Sequence, residues 1–548
     1  MRVRNVVAWV ALAAGWLGAA PPPAHAQTSP GTLVRTVPTA EPEPGRQARV
    51  AIPSATPARA AGIGGTFVLG AVAIDGATAL DAAELAPSFE PYLAAKVGQA
   101  ELDKIAAGIT QQYRRRGYLL SYAMVPKQSV RSGIVRLRVV EGYVDKVRIE
   151  GDERSAAAII ELVERLSVER PLRNTTLERA LGLVREVPGV MLKDTRITRS
   201  PTDPARHQLT IVLGANRVRA LAYTDNRGTI EGARVRGYSS LSLASLMVPG
   251  DQLQLDLFSI PSNDFRFLYG QAKLSVPLTS DGLRASAAIS RSGQFQRLPG
   301  RDQRGSSRQL AAEISYPLKK SRAFSLVGRA TLADWKSEER RAGRTVQRDR
   351  IQVARAGLEM ALVSKVRVDG RLSVSRGIDL GAATEAGDPR ASRPRGSGRF
   401  TKVAAQLQVT ARLSEHFFLR ADSAAQYSSR PLLAAEEFAL GGSRIGRAFD
   451  YNEATGDHGI GGMVELGYRL EPSKKGQTLE LFAFGDGGST YRKRPVPGLA
   501  DKQSLASTGV GARAAIAGVL LAGEIGAPLA RSHGERGLRA FFSVAKAF

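Results

Sequence analysis

From about Asn216 to the C-terminal Phe548, apolar and polar side chains alternate residue by residue, in runs of about ten separated by turn residues. Gln252–Phe258 puts Leu253, Leu255 and Leu257 on one face and Gln252, Gln254 and Asp256 on the other. Lys365–Ser375 sets Val366, Val368, Leu372 and Val374 against Lys365, Arg367, Asp369, Arg371 and Ser373. Lys402–Leu413 sets Val403, Ala405, Leu407, Val409 and Leu413 against Lys402, Gln406, Gln408 and Arg412. A period of two residues belongs to a β-strand. With charge on one face and only apolar groups on the other, lipid is the solvent that fits the apolar face. Lipid tolerates no open sheet edge, so such a sheet must close. The expectation is a transmembrane antiparallel β-barrel of about 16 strands over residues 216–548. Aromatic residues make up only 6% of the chain, few for the girdles such barrels carry. The competing reading is a soluble all-β domain with one solvated face, which the many charges at strand centres disfavour.

The N-terminus agrees with an exported protein. Arg2 and Arg4 precede an apolar run, Val6 to Ala20, and Ala24-His25-Ala26 follows as an A-x-A cleavage signal. This predicts a secretory signal peptide over residues 1–26. No later segment holds 18 consecutive apolar residues, so no transmembrane helix is expected. Residues 27–63, rich in Pro, Ala, Thr and Arg, read as an extended linker.

Between linker and barrel the period changes. In Glu101–Tyr118, Leu102, Ile105, Ala106, Ile109 and Tyr113 share one helical face, and Gly117 is a stop signal. Gly133–Gly142 alternates Arg136 and Arg138 against Val135, Leu137 and Val139, as a strand does. A second unit repeats the plan. Asp145–Gly151 is a strand, Ile159, Ile160, Val163 and Leu166 mark a helix, Leu177, Ala180, Leu181 and Val184 another, and His207–Gly214 a closing strand. The repeat predicts two small α+β domains, at 64–142 and 143–214.

Several chemistries are excluded. The chain has no cysteine and five histidines, so no thiolate or disulfide framework and no ready metal site is expected. No nucleophile elbow, HExxH or P-loop occurs, so neither an enzyme nor a cofactor is expected. Gly509–Gly518 carries tempting glycines but reads as a strand with close backbone contact. The net charge of +26 is dispersed over strand faces without stacking aromatics, which disfavours nucleic acid.

Four stretches in order resemble the outer-membrane transporters of two-partner secretion, the haemolysin secretion/activation family, relatives of the barrel-assembly insertases. Tyr113–Gly151 resembles the end of the family's first polypeptide-transport-associated (POTRA) domain and the start of its second, with R-G-Y, V-P-x-Q and V-V-E-G. Thr224–Leu255 is similar to the first barrel hairpin, with D-N-x-G and a later G-D. Ala439–Gly459 resembles the long sixth loop, and Leu481–Ser489 the F-x-D-x-G wall motif. The resemblance implies periplasmic POTRA domains that meet an unfolded, secreted exoprotein, and an outer-membrane barrel that passes it to the cell surface without ATP. It further implies outer-membrane lipid and, during biogenesis, the barrel-assembly machinery as partners. An insertase that folds other barrels and a diffusion porin are the alternatives. Some members carry an N-terminal plug helix, and no amphipathic helix is evident for that role here.

By the same resemblance, the loop at 442–458 folds into the lumen and its tip arginine, Arg447, contacts Asp486 on the wall. The tip is Gly446-Arg447-Ala448-Phe449-Asp450, and the wall motif runs from Phe484 through Asp486 to Gly488. Gly446 stands where the family has Val, and Ala448 where it has Gly, which leaves the tip backbone in question. Periodicity adds an independent check. Leu479, Leu481 and Ala483 share one face and Glu480, Phe482, Phe484 and Asp486 the other. An acid cannot cheaply face lipid, so Glu480 marks that face as luminal and Asp486 with it. In the preceding strand Glu465 and Arg469 face inward while Val464, Leu466, Tyr468 and Leu470 face out. Glu465 and Glu480 are therefore alternative partners for Arg447.

Overall fold

The computed structural model describes residues 50–51, 65–130, 132–228, 234–297, 302–470, 477–493, 500–530 and 537–548. The expected signal peptide, the question of a plug helix and most of the expected linker lie outside these residues.

The helix Gln99–Arg115 buries Leu102, Ile105, Ala106, Ile109 and Tyr113, one stripe at helical spacing. Glu101 reaches back to accept the Gly98 N–H at 3.0 Å, satisfying a free donor at the helix start. Gly117 ends the run with φ +90°. The stripe packs on a three-stranded sheet in which Ile134–Val140 is central, parallel to Ala71–Asp75 and antiparallel to Tyr122–Met124. Val135, Leu137 and Val139 point into this core, and Arg136 and Arg138 are exposed.

The V-V-E-G glutamate has a structural task. Glu141 accepts hydrogen bonds from Tyr113 Oη (2.7 Å), Thr78 N (2.7 Å) and Ala79 N (2.8 Å), tying the helix to a distant turn. Burial pushes its carboxyl up, but the donors at Thr78, Ala79 and Tyr113 outweigh that and hold it below the ordinary glutamate range.

A second core follows, beneath the helices Ile160–Glu164 and Asn174–Glu186. Its sheet runs Val50–Ala51, Val190–Arg199, Arg206–Ala215, Tyr143–Gly151. The first of these strands belongs to the stretch read as linker. Val50 and Ala51 pair in parallel with Thr195 and Arg196, because the outer edge of Val190–Arg199 offers unpaired backbone groups.

Sixteen antiparallel strands then form one closed barrel. Val218–Asp225 closes it against Arg539–Ala547 through five register pairs, from Leu221 with Ala547 to Asp225 with Ser543. Leu255, Leu257, Leu372, Val374, Val464, Leu466 and Leu481 are exposed on the outer face, while Asp256, Glu465, Glu480 and Asp486 are buried inside. Several of the few aromatics do not face lipid at all. Tyr238, Phe258, Phe265, Phe267 and Tyr269 cluster inside.

The second α+β unit sits on one end of the barrel. Asp152 receives both Arg217 contacts at 2.6 and 2.7 Å, Lys320 pairs with Glu186, and a Cβ at Gly282 would come within 3.1 Å of Leu183. Asp152 also caps the helix Glu153–Ala157 by accepting from Ser155 N at 2.8 Å.

Candidate functional site: a loop tip held inside the barrel

The loop between the strands Phe417–Ser428 and His458–Leu470 turns into the barrel. Its legs, Phe438–Leu440 and Ala454–Gly456, pair as a short hairpin. Between them Gly441, Gly442 and Gly446 take φ of +101°, +108° and +83°, which folds the tip on itself. Gly441 N–H donates to Ile445 O at 3.0 Å and Phe449 N–H to Gly446 O at 2.9 Å. The positive φ falls on Gly446, not on Ala448, so an alanine after the arginine is compatible with this tip. The Ala448 methyl lies against Gly526, whose own Cβ would come within 3.2 Å. Phe449 anchors the tip in an apolar cluster with Leu440, Ile445, Ala454, Met463 and Leu505.

Arg447 is 4% exposed. Its guanidinium does not pair with Asp486. It donates to Glu465 Oε2 at 3.0 Å and pairs with Glu524 through its other terminal nitrogen. Its guanidinium carbon stands 3.9 Å from the centre of the Phe484 ring, close enough for a cation–π contact. Asp486 instead holds the backbone: it accepts the Arg447 N–H at 3.0 Å and the Ser507 hydroxyl at 2.6 Å. The Ser507 oxygen in turn accepts Ala448 N–H at 3.3 Å. The physical reason is reach. With its backbone on Asp486, Arg447 extends beyond it to acids farther along the wall.

Those acids are shared. Glu465 is also held by Arg513 at 2.5 and 2.6 Å and by Arg420 at 3.0 Å. Glu524 also pairs with Arg227, whose NH1 donates to Arg447 O at 3.0 Å. Glu480 stays outside the tip contact and binds Arg420 at 2.9 Å and Arg469 at 2.8 Å. Asp450 pairs with Arg539, which also donates to Ala448 O at 3.3 Å. A buried charge left without such partners costs several kcal/mol, so the cluster is interdependent.

Glycines make the wall fit. A Cβ at Gly488 would meet Ile460 O at 2.5 Å and Leu440 Cδ1 at 2.9 Å, so the wall motif lets the hairpin lie close. Cβ atoms at Gly509 and Gly511 would strike the Phe484 and Phe482 rings at 2.6 and 2.4 Å. These are the tempting glycines of the Gly509–Gly518 stretch, here in the strand Lys502–Ile516 with the close contacts expected of them.

Sequence reasoning missed Glu524, Arg513, Arg420, Ser507 and Arg227. Glu524 carried a usable signal. It is an acid in the alternating strand Val519–Ala530, next to the outward Ile525, and the rule applied to Glu480 points it inward. Arg227 follows the first barrel strand and carries no period to read.

Comparison with known proteins places this arrangement. Residues 212–514 match the family model described as "Haemolysin secretion/activation protein ShlB/FhaC/HecB", and residues 67–142 match the "POTRA domain, ShlB-type". The "Heme/hemopexin transporter protein HuxB" of Haemophilus influenzae is 22% identical over 249 residues, 44% of this chain and 43% of that relative. The chain thus aligns with under half the length of these curated relatives. "Outer membrane transporter CdiB" of Escherichia coli is 28% identical over 96 residues, 18% of this chain and 16% of that protein. In three dimensions CdiB from Escherichia coli superposes with a TM-score of 0.73 at 18% identity, over 91% of this chain and 92% of that structure. CdiB from Acinetobacter baumannii gives 0.65 at 15% identity, over 92% and 95%. At these identities the superpositions speak for the fold alone.

Proposed function

Because this chain belongs to the haemolysin secretion/activation family, we propose that it is the outer-membrane pore that carries an unfolded exoprotein from periplasm to cell surface without ATP. The α+β units stand in the periplasm and meet the exoprotein, and the barrel sits in outer-membrane lipid, where the assembly machinery places it. The observation that carries this reading is the joint one. A POTRA-type unit precedes a closed sixteen-strand barrel whose interior is occupied by a returning loop. A diffusion porin has no use for the first, and an unfolded client suits it: exposed strand edges read backbone rather than side chains.

The loop tip is the movable part of this pore. Besides the apolar anchor of Phe449, it is held by hydrogen bonds and ion pairs of Arg447, groups for which water or a passing chain can offer substitute partners. Deleting the gene should abolish secretion of one large exoprotein while other outer-membrane proteins assemble normally. General barrel misassembly would favour the insertase instead, and unchanged secretion would sink the proposal.

A further inference from the structure

The outer face of the barrel holds a feature that translocation does not use. On four successive strands the outward positions are apolar and then turn basic. The strand Arg284–Gln296 shows Ala285, Ala287 and Ile289 and then Arg291. The strand Gln303–Lys320 shows Ile314, Ala312 and Leu310 and then Arg308. The strand Phe324–Arg341 shows Leu326, Gly328, Ala330 and Leu332, then Asp334 and Lys336. The strand Arg344–Val363 shows Leu362, Met360, Leu358, Ala356 and Ala354, then Gln352 and Arg350. Ile289, Leu310, Ile314, Leu332, Leu358 and Leu362 are exposed, which fixes this face as outward. A tilted strand crosses the hydrocarbon layer in about 9–11 residues. On Arg344–Val363 the apolar outward run from Leu362 to Ala354 is of that length, so the change there falls at the end of the bilayer away from the α+β units, and the register carries the same level to the three neighbouring strands.

The register makes the four cations neighbours. Arg291 pairs with Arg308, Arg308 with Lys336, and Lys336 with Arg350. At about 4.8 Å per strand the row spans about 14 Å. Like charges directly opposite one another destabilise a sheet. Arg350 is partly neutralised, donating to Asp334 at 2.9 Å. Among the described residues no ion pair joins Arg291, Arg308 or Lys336, and the nearby Glu338 is taken by Arg340 at 2.6 Å and Arg348 at 3.8 Å. Directly below the row, Leu274, Ala287, Ile289, Leu310, Ala312 and Leu332 line a shallow apolar groove.

We propose that Arg291, Arg308, Lys336 and Arg350 bind the phosphate groups of lipid A, the phosphorylated glycolipid of the outer leaflet, with an acyl chain in the groove below. This rests on the membrane orientation of the proposed function. Phosphate oxygens neutralise Arg291, Arg308 and Lys336, which no described carboxylate pairs with, through charge-assisted hydrogen bonds, and Arg350 completes the row. The alanines of the groove, Ala272, Ala287 and Ala312, leave a flexible chain room between the flanking leucines and Ile289.

The test titrates purified full-length protein in neutral detergent with bisphosphorylated lipid A, dephosphorylated lipid A and inorganic phosphate. Binding of the bisphosphorylated form should weaken about ten-fold or more in the Arg308→Gln, Lys336→Gln double variant. The exposed Lys104→Gln control should not change it. Equal affinity for both lipid forms, or an unchanged double variant, would overturn the proposal. Displacement by inorganic phosphate at equal concentration would overturn the assignment to a lipid. Arg308→Glu guards against misfolding: it puts a carboxylate between Arg291 and Lys336, so thermal stability in detergent should hold or rise while lipid A binding falls. Wild-type binding by Arg308→Glu would also overturn the site. The assay needs no passenger, so its outcome is independent of the secretion experiment.

Discussion

Arg447 shows how one loop residue divides its work. Its backbone N–H goes to Asp486 and its guanidinium to Glu465 and Glu524. The two attachments should be separable. In denaturant unfolding of the barrel in detergent, a double-mutant cycle of Arg447→Ala with Glu465→Gln should show coupling of about 1–3 kcal/mol. The cycle with Asp486→Ala should be closer to additive, since Asp486 keeps the backbone in both backgrounds. Equal coupling in the two cycles would mean that the guanidinium is shared with Asp486. Because Arg513 and Arg420 remain on Glu465, Arg447→Ala should cost less than the roughly 3–5 kcal/mol of a fully orphaned pair. It should raise resting conductance in planar bilayers. Glu141 is a second residue with a measurable signature. Its carboxyl is held below the ordinary range, so the unfolded chain takes up a proton first as pH falls. Its stabilisation is complete above about pH 4.3 and is lost as pH drops through the folded value. Hydrogen-exchange protection across residues 65–141, taken relative to the intrinsic rate at each pH, should fall on acidification in the wild type. Glu141→Gln should show weaker protection already at pH 6 and a flatter pH profile.

At the scale of elements, the inward loop keeps its shape through backbone that only glycine adopts easily. Gly446 has φ +83°, and a Cβ there would sit 2.9 Å from Gly441 N. Gly446→Ala should destabilise the tip by about 1–2 kcal/mol from the dihedral alone, read as raised conductance and faster proteolysis at the loop. Ala448→Gly, which restores the family pattern, should change little, because Ala448 is not in the left-handed region. A large gain of function from Ala448→Gly would show that the tip is strained as it stands. The alternating strands were legible because period two needs only the neighbouring residues. The helix Gln99–Arg115 was legible for the same reason at period 3.6. The pairing of Val50–Ala51 was not, since two residues carry no period and the edge they join lies more than 140 positions away.

On the scale of the whole molecule, the second α+β unit and the barrel are joined through polar contacts and through apolar ones such as Leu183 against Gly282. Asp152 serves both as the helix cap and as the partner of Arg217. Asp152→Ala removes both and should cost about 1 kcal/mol for the cap. Limited proteolysis near residues 214–217 should be faster, with barrel heat resistance on gels unchanged. If the barrel loses heat resistance as well, the two parts fold as one cooperative unit. The closing seam, with five register pairs, is the shortest in the barrel, so hydrogen exchange should be fastest at Val218–Asp225 and Arg539–Ala547.

The sequence by itself determined the class of the molecule: the faces of each strand, the closure that lipid demands, the helical stripes of the two repeats, and the inward side of Glu465, Glu480 and Asp486. Those follow from spacing along the chain and from the cost of placing charge in hydrocarbon. Only the tertiary structure decided which acid receives Arg447. Glu465, Glu480, Asp486 and Glu524 all face the interior, and alternation cannot rank them. The choice comes from where the Asp486 carboxylate fixes the tip backbone and how far a guanidinium then reaches. The row of Arg291, Arg308, Lys336 and Arg350 is of the same kind. Each charge was visible in the sequence, but only strand register, which the closed barrel fixes, set them side by side.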